Sequence, residues 1–584
     1  MDAQLVRHIS SLIPVDYPDG LELLEEGKQI GASLDVSRNK FLKRFGYETY
    51  LDYRKDNTRN GKMTWQLLVG LSTLDEQLDA IKALEEFSDR TGLDIRTIQN
   101  IPSMLTGLPL SYWDKAPKPT SYVLPDDKDW QRHSDAAAIQ IIWQDWHLAT
   151  PNNLQTTINA IEAGTPRLGI FSQMIWDFPN FTDDRQRFSD MVRSLGIVAS
   201  QRDRFISVDT YPEDGVPGYF MDVASYIGYV MMERYIVNDL CGARFSVSFG
   251  GLLTDIQPRM AFGMALHKMF GSWDEPILSY YNGGTLEQWA HDIEANYGIG
   301  VQEMLIQILV ELKYQMHTAI SPVSVTEALR VPTLQELFDI AAAGRRAEEK
   351  AKEWLPLMDF SPLEAIRDEL IEKGTEFYSN MFNAFEAAGV NMNDPLELIM
   401  VLKRLSPMQI EQAFHPSTQG GGEFAAYVPS VPGRQTLQMA DEIIQKIKSE
   451  ALDHSLSGKK IVVVSADCHS YGLMLVDRVM RHTGARIING GVDTDPIDLL
   501  DLADEEETDI VMISAHIGQV LDYARQLLES QRKRGKSYHI FVGGMMNAML
   551  PGNTVPVDVT DQLIELGIHP SNDLLKSVRL IKDL

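Results

Sequence analysis

Lys459–Ala466 reads KKIVVVSA, a β-branched run with no polar alternation, and a strand of that kind is stable only when both of its faces are covered. The sequence after it alternates. Helical spacing over Leu473–His482 precedes a strand at Ala485–Asn489, a short helix at Ile497–Ala503 and a strand at Asp509–Ser514. A long helix at Val520–Gln531, a strand at Tyr538–Val542 followed by Gly543 and Gly544, and a closing helix at Asp558–Leu566 complete the pattern. Strands separated by helices imply a parallel, doubly wound sheet with its ligand at the strands' carboxyl ends.

The first 350 residues or so alternate over a longer cycle. Strand candidates are Trp65–Leu71, Leu93–Asn100, Ile141–His147, Arg167–Gln173, Phe205–Tyr211, Arg244–Gly250, Pro276–Asn282 and Met316–Val323. Helical patterns fill most of the gaps. Thr73 and Glu76 form a capping box, with Leu74, Leu78, Ile81 and Leu84 following on one face. Eight such units point to a (β/α)8 TIM barrel. Gly420–Gly422 and two prolines mark His415–Arg434 as a functional loop or linker, and Gln438–Ser455 reads as a helix. The reading is an α/β chain: an N-terminal arm at 1–60, a barrel at 61–404, a linker and connecting helix at 405–455, and a doubly wound, flavodoxin-like domain at 456–584.

A length of 584 residues suits a barrel plus a smaller domain. With 53 basic and 82 acidic side chains the net charge is 53 − 82 = −29, which disfavours a nucleic-acid partner. No apolar run is long enough to span a bilayer. The N-terminus lacks a signal pattern, and Cys241 and Cys468 cannot build a disulfide framework, so a cytoplasmic protein is expected.

The sharpest local signal is Asp467-Cys468-His469-Ser470-Tyr471-Gly472, where the first C-terminal strand turns into a helix. Ser514-Ala515-His516 ends the third strand and Gly543-Gly544 the fourth, so all three pieces fall on one rim. A histidine there can ligate a metal through one ring nitrogen, and an aspartate two residues earlier can accept the other N–H. Glycines let a large ligand lie against backbone. Cys468 reads as a small buried residue.

These residues resemble the cobalamin-binding domain that holds B12 with histidine as lower axial ligand. Its pattern is Asp-x-His-x-x-Gly, then Ser-x-Leu, then Gly-Gly. The resemblance implies that His469 ligates cobalt, that Asp467 supports it, and that Gly472, Ser514, Gly543 and Gly544 border the nucleotide tail. The chain departs from the pattern at His516, which stands where the family has leucine.

More specifically, DCHSYG, INGGVDTDPIDLLDLA, DIVMISAHIGQ and FVGG run in the order and spacing of the small subunit of glutamate mutase. The region ahead resembles that enzyme's barrel subunit, fainter but collinear, through LVGLSTLDEQLDAIKALEEF, LATPNNLQTTINAIEAG and VTEALRVPT. The resemblance implies adenosylcobalamin as cofactor and a radical carbon-skeleton rearrangement in a dry cavity, with cobalamin covering the barrel's C-terminal rim.

The family's substrate clamp is not retained. Its three arginines, suited to bidentate pairing with carboxylates, fall on Leu68, Ile98 and His147, and its substrate-contacting glutamate falls near Ser172–Gln173. One of its tyrosines becomes Trp176. Gly70 and Pro179 survive beside the lost groups, Glu327 matches a glutamate that contacts the adenosyl ribose, and Val323 replaces the accompanying lysine. The catalytic candidates are therefore His147, Gln173, Trp176 and Glu327. Of Trp65, Trp143, Trp146 and Trp176, at least two are expected to be packing residues. Asp177 and Asp209 are read as structural acids that could otherwise meet an amino group, and Tyr280 and Tyr281 have no assigned role.

The substrate implied is a small carboxylic or amino acid, less acidic or bulkier than glutamate. Two other classes share the signature: a corrinoid carrier of methyl transfer, which places a helical cap rather than a barrel ahead of it, and a non-enzymatic cobalamin sensor, which carries an effector module. By analogy with the family's subunit assembly, a homodimer through the barrels is expected. The basic stretch NKFLKRFGYETYLDYRKDNTRNGK reads as a solvated helix face.

Overall fold

A computed structural model describes residues 3–36, 39–116, 121–178, 181–215, 220–251, 253, 255–283, 293–327, 330, 332–405, 407–422, 424–467, 471–492, 494–516, 518, 520–548, 550 and 557–584. The chain divides into two compact units, one of Met1–Val216 with Asp222–Val428, the other of Pro217–Met221 with Pro429–Leu584, so that the main break falls between Val428 and Pro429. That break lies inside the stretch read as linker. No helix among the described residues is long and apolar enough to cross a membrane.

The first unit is a closed parallel barrel of eight strands in sequential order. They are β1 Thr64–Val69, β2 Thr97–Asn100, β3 Gln140–Trp143, β4 Arg167–Leu168, β5 Ser207–Thr210, β6 Arg244–Phe249, β7 Leu278–Asn282 and β8 Ala319–Ser321. Each matches one expected strand. The fourth is the shortest because the chain leaves the sheet after Leu168 and coils into a 3-10 turn at Phe171–Ile175. Helices follow every strand, from Leu74–Thr91, whose Thr73–Glu76 capping box is in place, to Leu334–Trp354.

Side chains alternate between barrel interior and helix layer along each strand. Outward residues are apolar and buried, among them Trp65, Leu67, Ile98, Ile141 and Trp143. Trp65 donates its indole N–H to Glu348 on the last barrel helix, 3.1 Å away. The interior carries a polar layer. Arg167 donates to Asp209 (3.1 Å), Ser248 (2.8 Å) and Gln99 (2.6 Å), and its guanidinium lies 3.3 Å from the Tyr280 ring centroid. Asp209 also accepts from Ser246 and Ser248, both at 2.8 Å. A buried ion pair needs this many hydrogen bonds, because desolvation otherwise exceeds the Coulombic gain.

The N-terminal arm is built of helices. Helix Gly20–Ala32 crosses Asp184–Ser200 so closely that a Cβ on Gly27 would stand 2.0 Å from the Arg193 carbonyl oxygen. Helices Lys40–Phe45 and Tyr50–Arg59 meet the amino ends of the strands. Asn39 donates to Gln140 (2.9 Å), the Tyr50 hydroxyl meets Thr97 (2.9 Å), and Arg54, fully buried, donates to the carbonyls of Ser279 and His317. Leu51 packs against Ile142, Leu278, Tyr280 and Ala319. The basic stretch is thus only partly a solvated face: Lys40, Lys43 and Arg44 are exposed, while Arg54 plugs the barrel's lower end.

The second unit is a five-stranded parallel sheet. Its strands are β9 Lys460–Ser465, β10 Arg486–Asn489, β11 Ile510–Ala515 and β12 His539–Gly544; β13 Asn547–Ala548 and β14 Val557–Asp558 form a separate hairpin, and β15 His569–Pro570 is the fifth strand. The order β10-β9-β11-β12-β15 is the flavodoxin-like arrangement, with its switch point between β9 and β11. Apolar cores cover both faces, one built on Val462, Val464, Val511 and Ile513, the other on Ile461, Val463, Ile510 and Met512. Helix Val431–Ser449, which starts earlier than its sequence pattern suggested, contributes Ala440 and Ile447 to the second core. The terminal helix Leu574–Asp583 also packs there.

Candidate functional site

The switch point gathers the C-terminal motifs. β9 and β11 run side by side with Ser465 opposite Ser514, and β11 and β12 pair Ser514 with Gly543 and Ala515 with Gly544. The chain beyond β9 places Asp467, 2 % exposed, against the chain beyond β11, where it accepts the backbone N–H of His516 at 2.5 Å. The His516 Nδ1 is 4.0 Å from the same carboxylate. This is the consequence of histidine at the leucine position: the ring stands beside Asp467 rather than filling an apolar slot. His469, with Cys468 and Ser470, lies outside the described residues.

Glycine at position 472 follows from packing. A Cβ there would stand 2.2 Å from Ser514 Oγ and 2.8 Å from the His516 ring. Gly544 has φ +99°, and a Cβ would meet the Ala515 carbonyl oxygen at 2.2 Å. Its N–H donates to Asn572 (2.7 Å). Gly543 and Gly544 are both part-accessible, so the carboxyl end of β12 offers bare backbone to an extended ligand, next to a serine hydroxyl. That is the surface a nucleotide tail requires, and the residues present fit cobalamin in this respect.

On the barrel, the βα loops after β2, β3 and β4 build an apolar wall at the carboxyl rim. Leu105, Leu108 and Phe178 are its buried centre, with Tyr112, Trp113, Trp146, Trp176 and Phe181 packed on it. Trp146 and Trp176 lie 5.7 Å apart at 52°. Arg187 staples two of these loops, donating to the carbonyls of Ala149 and Trp176 (both 2.7 Å) and of Gln173 and Met174 (both 3.2 Å). Leu68 and Gly70 are half-buried at the same rim, at the end of β1.

Other expected residues stand elsewhere. Ile98 faces the helix layer, because its neighbour Gln99 bonds into the barrel, so the rim position belongs to the other strand face. His147 is fully buried 5.0 Å from Trp130 and 5.9 Å from Trp143, ring centroid to ring centroid. Burial pushes its imidazole down to about 3, against a smaller opposing effect of the Trp146 backbone. His147 is thus a neutral packing residue behind the barrel wall. Trp65 and Trp143 are packing residues too, whereas Trp146 and Trp176 are on the rim. Gln173 is buried in the turn after β4. Glu327 follows β8; it is accessible yet surrounded by protein, and desolvation pushes its carboxyl up to about 7. Val323 is half-buried nearby in sequence, against Gly283. Pro179 lies outside the described residues. Asp177 pairs with Lys403 at 2.6 Å and Asp209 with Arg167, as structural acids do; Tyr281 reaches Glu303 at 3.5 Å.

Two rim residues escaped the sequence reading. Asp145, just past β3, is half-buried and accepts a hydrogen bond from Gln99 at 3.2 Å; desolvation pushes its carboxyl up to about 6. Gln144, fully buried, donates to Asp209 (2.7 Å) and Ser248 (3.0 Å). The only hint in the sequence was their place at the end of a strand. The nearby arginines are already engaged: Arg167 with Asp209, Arg187 with four carbonyls, Arg259 with Glu303 (3.2 Å), and Arg330 with Glu336 (2.6 Å).

Comparison with known proteins bears on the second unit. Residues 460–560 match the family described as B12 binding domain. The chain is 30% identical over 83 residues to the glutamate mutase sigma subunit of Clostridium tetanomorphum, a stretch covering 14% of this chain and 61% of that subunit. A cobalamin-binding protein from Desulfitobacterium hafniense has 15% identity and a TM-score of 0.19, covering 26% of this chain and 97% of its own; that likeness is too slight to carry an argument. The chain therefore carries, after a (β/α)8 barrel in sequence, a region matching the B12-binding domain.

Proposed function

We propose that this protein is an adenosylcobalamin-dependent carbon-skeleton mutase acting on a small carboxylic or amino acid other than glutamate. The observation that supports it most is the combination, in one chain, of a closed (β/α)8 barrel with a match to the B12 binding domain. The relative that shares part of the second unit is a glutamate mutase subunit.

In this reading His469 would hold cobalt, Asp467 would support the loop around it, and Gly472, Ser514, Gly543 and Gly544 would border the nucleotide tail. Adenosylcobalamin would supply the radical chemistry of the rearrangement. The barrel's part is to bind, orient and keep dry. Trp146, Trp176 and their neighbours would present an apolar wall against water, and Leu68 offers no partner for the second carboxylate of glutamate, whose unpaired burial would be costly.

The test is anaerobic incubation of the protein with adenosylcobalamin and a panel of small acids and amino acids. Substrate-dependent cob(II)alamin absorption with an EPR radical signal is the expected result. Methyl exchange without radical formation would replace the proposal with a corrinoid carrier. Replacement of His469 by alanine should abolish the histidine-bound spectrum; an unchanged lower ligand would overturn the site assignment.

A further inference from the structure

Several polar groups left without a partner toward the barrel rim, among the described residues, are acceptors. Asp145 is half-buried, and one of its oxygens is held by Gln99 at 3.2 Å. Gln144 uses its amide N–H groups on Asp209 and Ser248, which orients its Oε1 as an acceptor; that atom is buried and meets no partner among the described residues. Asn282, 5 % exposed at the carboxyl end of β7, likewise has an Oδ1 without a partner among them. Glu327 adds an accessible carboxyl after β8. The described arginines of the rim are committed to other groups, Arg167 to Asp209, Arg259 to Glu303, Arg330 to Glu336 and Arg187 to backbone carbonyls. Buried acceptors without donors are costly in an empty site and favourable around a ligand that brings N–H groups.

We propose that the barrel mouth binds the ammonium group of its substrate, with Asp145 as counter-charge and the Gln144 amide oxygen as a second acceptor, so that the substrate is an amine lacking the second carboxylate of glutamate. This rests on the mutase reading and narrows its substrate class. An ammonium ion matches these groups in sign and in kind, since it brings donors and no acceptor. The apolar wall of Trp146 and Trp176 suits the hydrocarbon part of such a molecule. The groups around Asp145 tune it. Burial raises its carboxyl to about 6, with Asp209 acting in the same direction and Gln99 and Arg167 opposing. Tyr122 also lies within electrostatic reach and stays protonated through burial. An ammonium ligand would supply the missing positive charge.

The experiment titrates the full chain calorimetrically with n-butylamine, 4-aminobutyrate and butyrate, above and below pH 6, while corrinoid uptake is followed by absorption in the same preparations. Above that pH the two amines should bind and butyrate should not. Asp145→Asn should weaken amine binding by about tenfold or more. In the unmodified protein, amine binding should weaken as pH falls below 6 and Asp145 takes up a proton, a readout that does not depend on the variant folding. Butyrate binding as tightly as butylamine, no amine binding, or amine affinity indifferent to both pH and Asp145→Asn would overturn the proposal. Normal corrinoid uptake with no amine preference rejects this inference alone; an intact amine preference without corrinoid uptake rejects the mutase reading alone.

Discussion

Arg167 and Asp209 face each other at 3.1 Å inside the barrel, both with no solvent exposure. Arg167→Met should destabilise the barrel by about 3–5 kcal/mol, because it strands a buried carboxylate. The double replacement Arg167→Met with Asp209→Leu should recover much of that loss. Urea denaturation of the three proteins measures both; additive losses would show that the pair is not coupled.

Asp222 organises the last stretch of the first unit. Its carboxylate accepts from the backbone N–H groups of Ala224 (2.9 Å), Tyr427 (2.6 Å) and Val428 (3.1 Å), and meets the buried His415 ring at 2.9 Å. Asp222→Ala should therefore release the segment around residues 415–428 at a cost of ~3 kcal/mol. Limited proteolysis should cut there first, while the barrel helices remain protected.

Glu233 gives a pH dependence with a definite sign. Burial raises its carboxyl to about 8, so the folded form keeps a proton that the unfolded chain releases above about 4.5. Its contribution is complete below that lower value and is lost as pH rises toward 8. Glu233→Gln should gain on the order of 2–3 kcal/mol relative to the unmodified protein between pH 5 and 8. Denaturant midpoints across that range test this; parallel curves would contradict it.

Gly544→Ala combines a backbone at φ +99° with a 2.2 Å approach to the Ala515 carbonyl oxygen. A loss of ~1–3 kcal/mol is expected, with weaker corrinoid uptake from the distorted shelf. Thermal unfolding and absorption titration report the two effects separately.

The eight barrel strands were legible because apolar, β-branched segments recur with helical spacing between them, and the second sheet was legible for the same reason. The two-residue strand β15 lies below that signal, and the terminal helix was passed over although its apolar residues fall on one face. Ile98 shows why the rim was harder. A shift of one residue along a strand exchanges inside for outside, so a collinear match to the family's arginines pointed at an outward side chain while Gln99 held the inward position. His147 carries the right chemistry in the wrong layer, among Trp130 and Trp143. Asp145 carries no motif; its character comes from Gln99, Arg167 and Asp209 on three other strands, a neighbourhood no linear pattern records.

Helices Lys40–Phe45 and Tyr50–Arg59, with Arg54 tied to two carbonyls beneath the sheet, turn the barrel into a vessel with a stopper. With the barrel's amino end filled in this way, a ligand of the proposed site would come and go through the carboxyl rim, where a molecule held at the opening would compete with it without touching the groups inside.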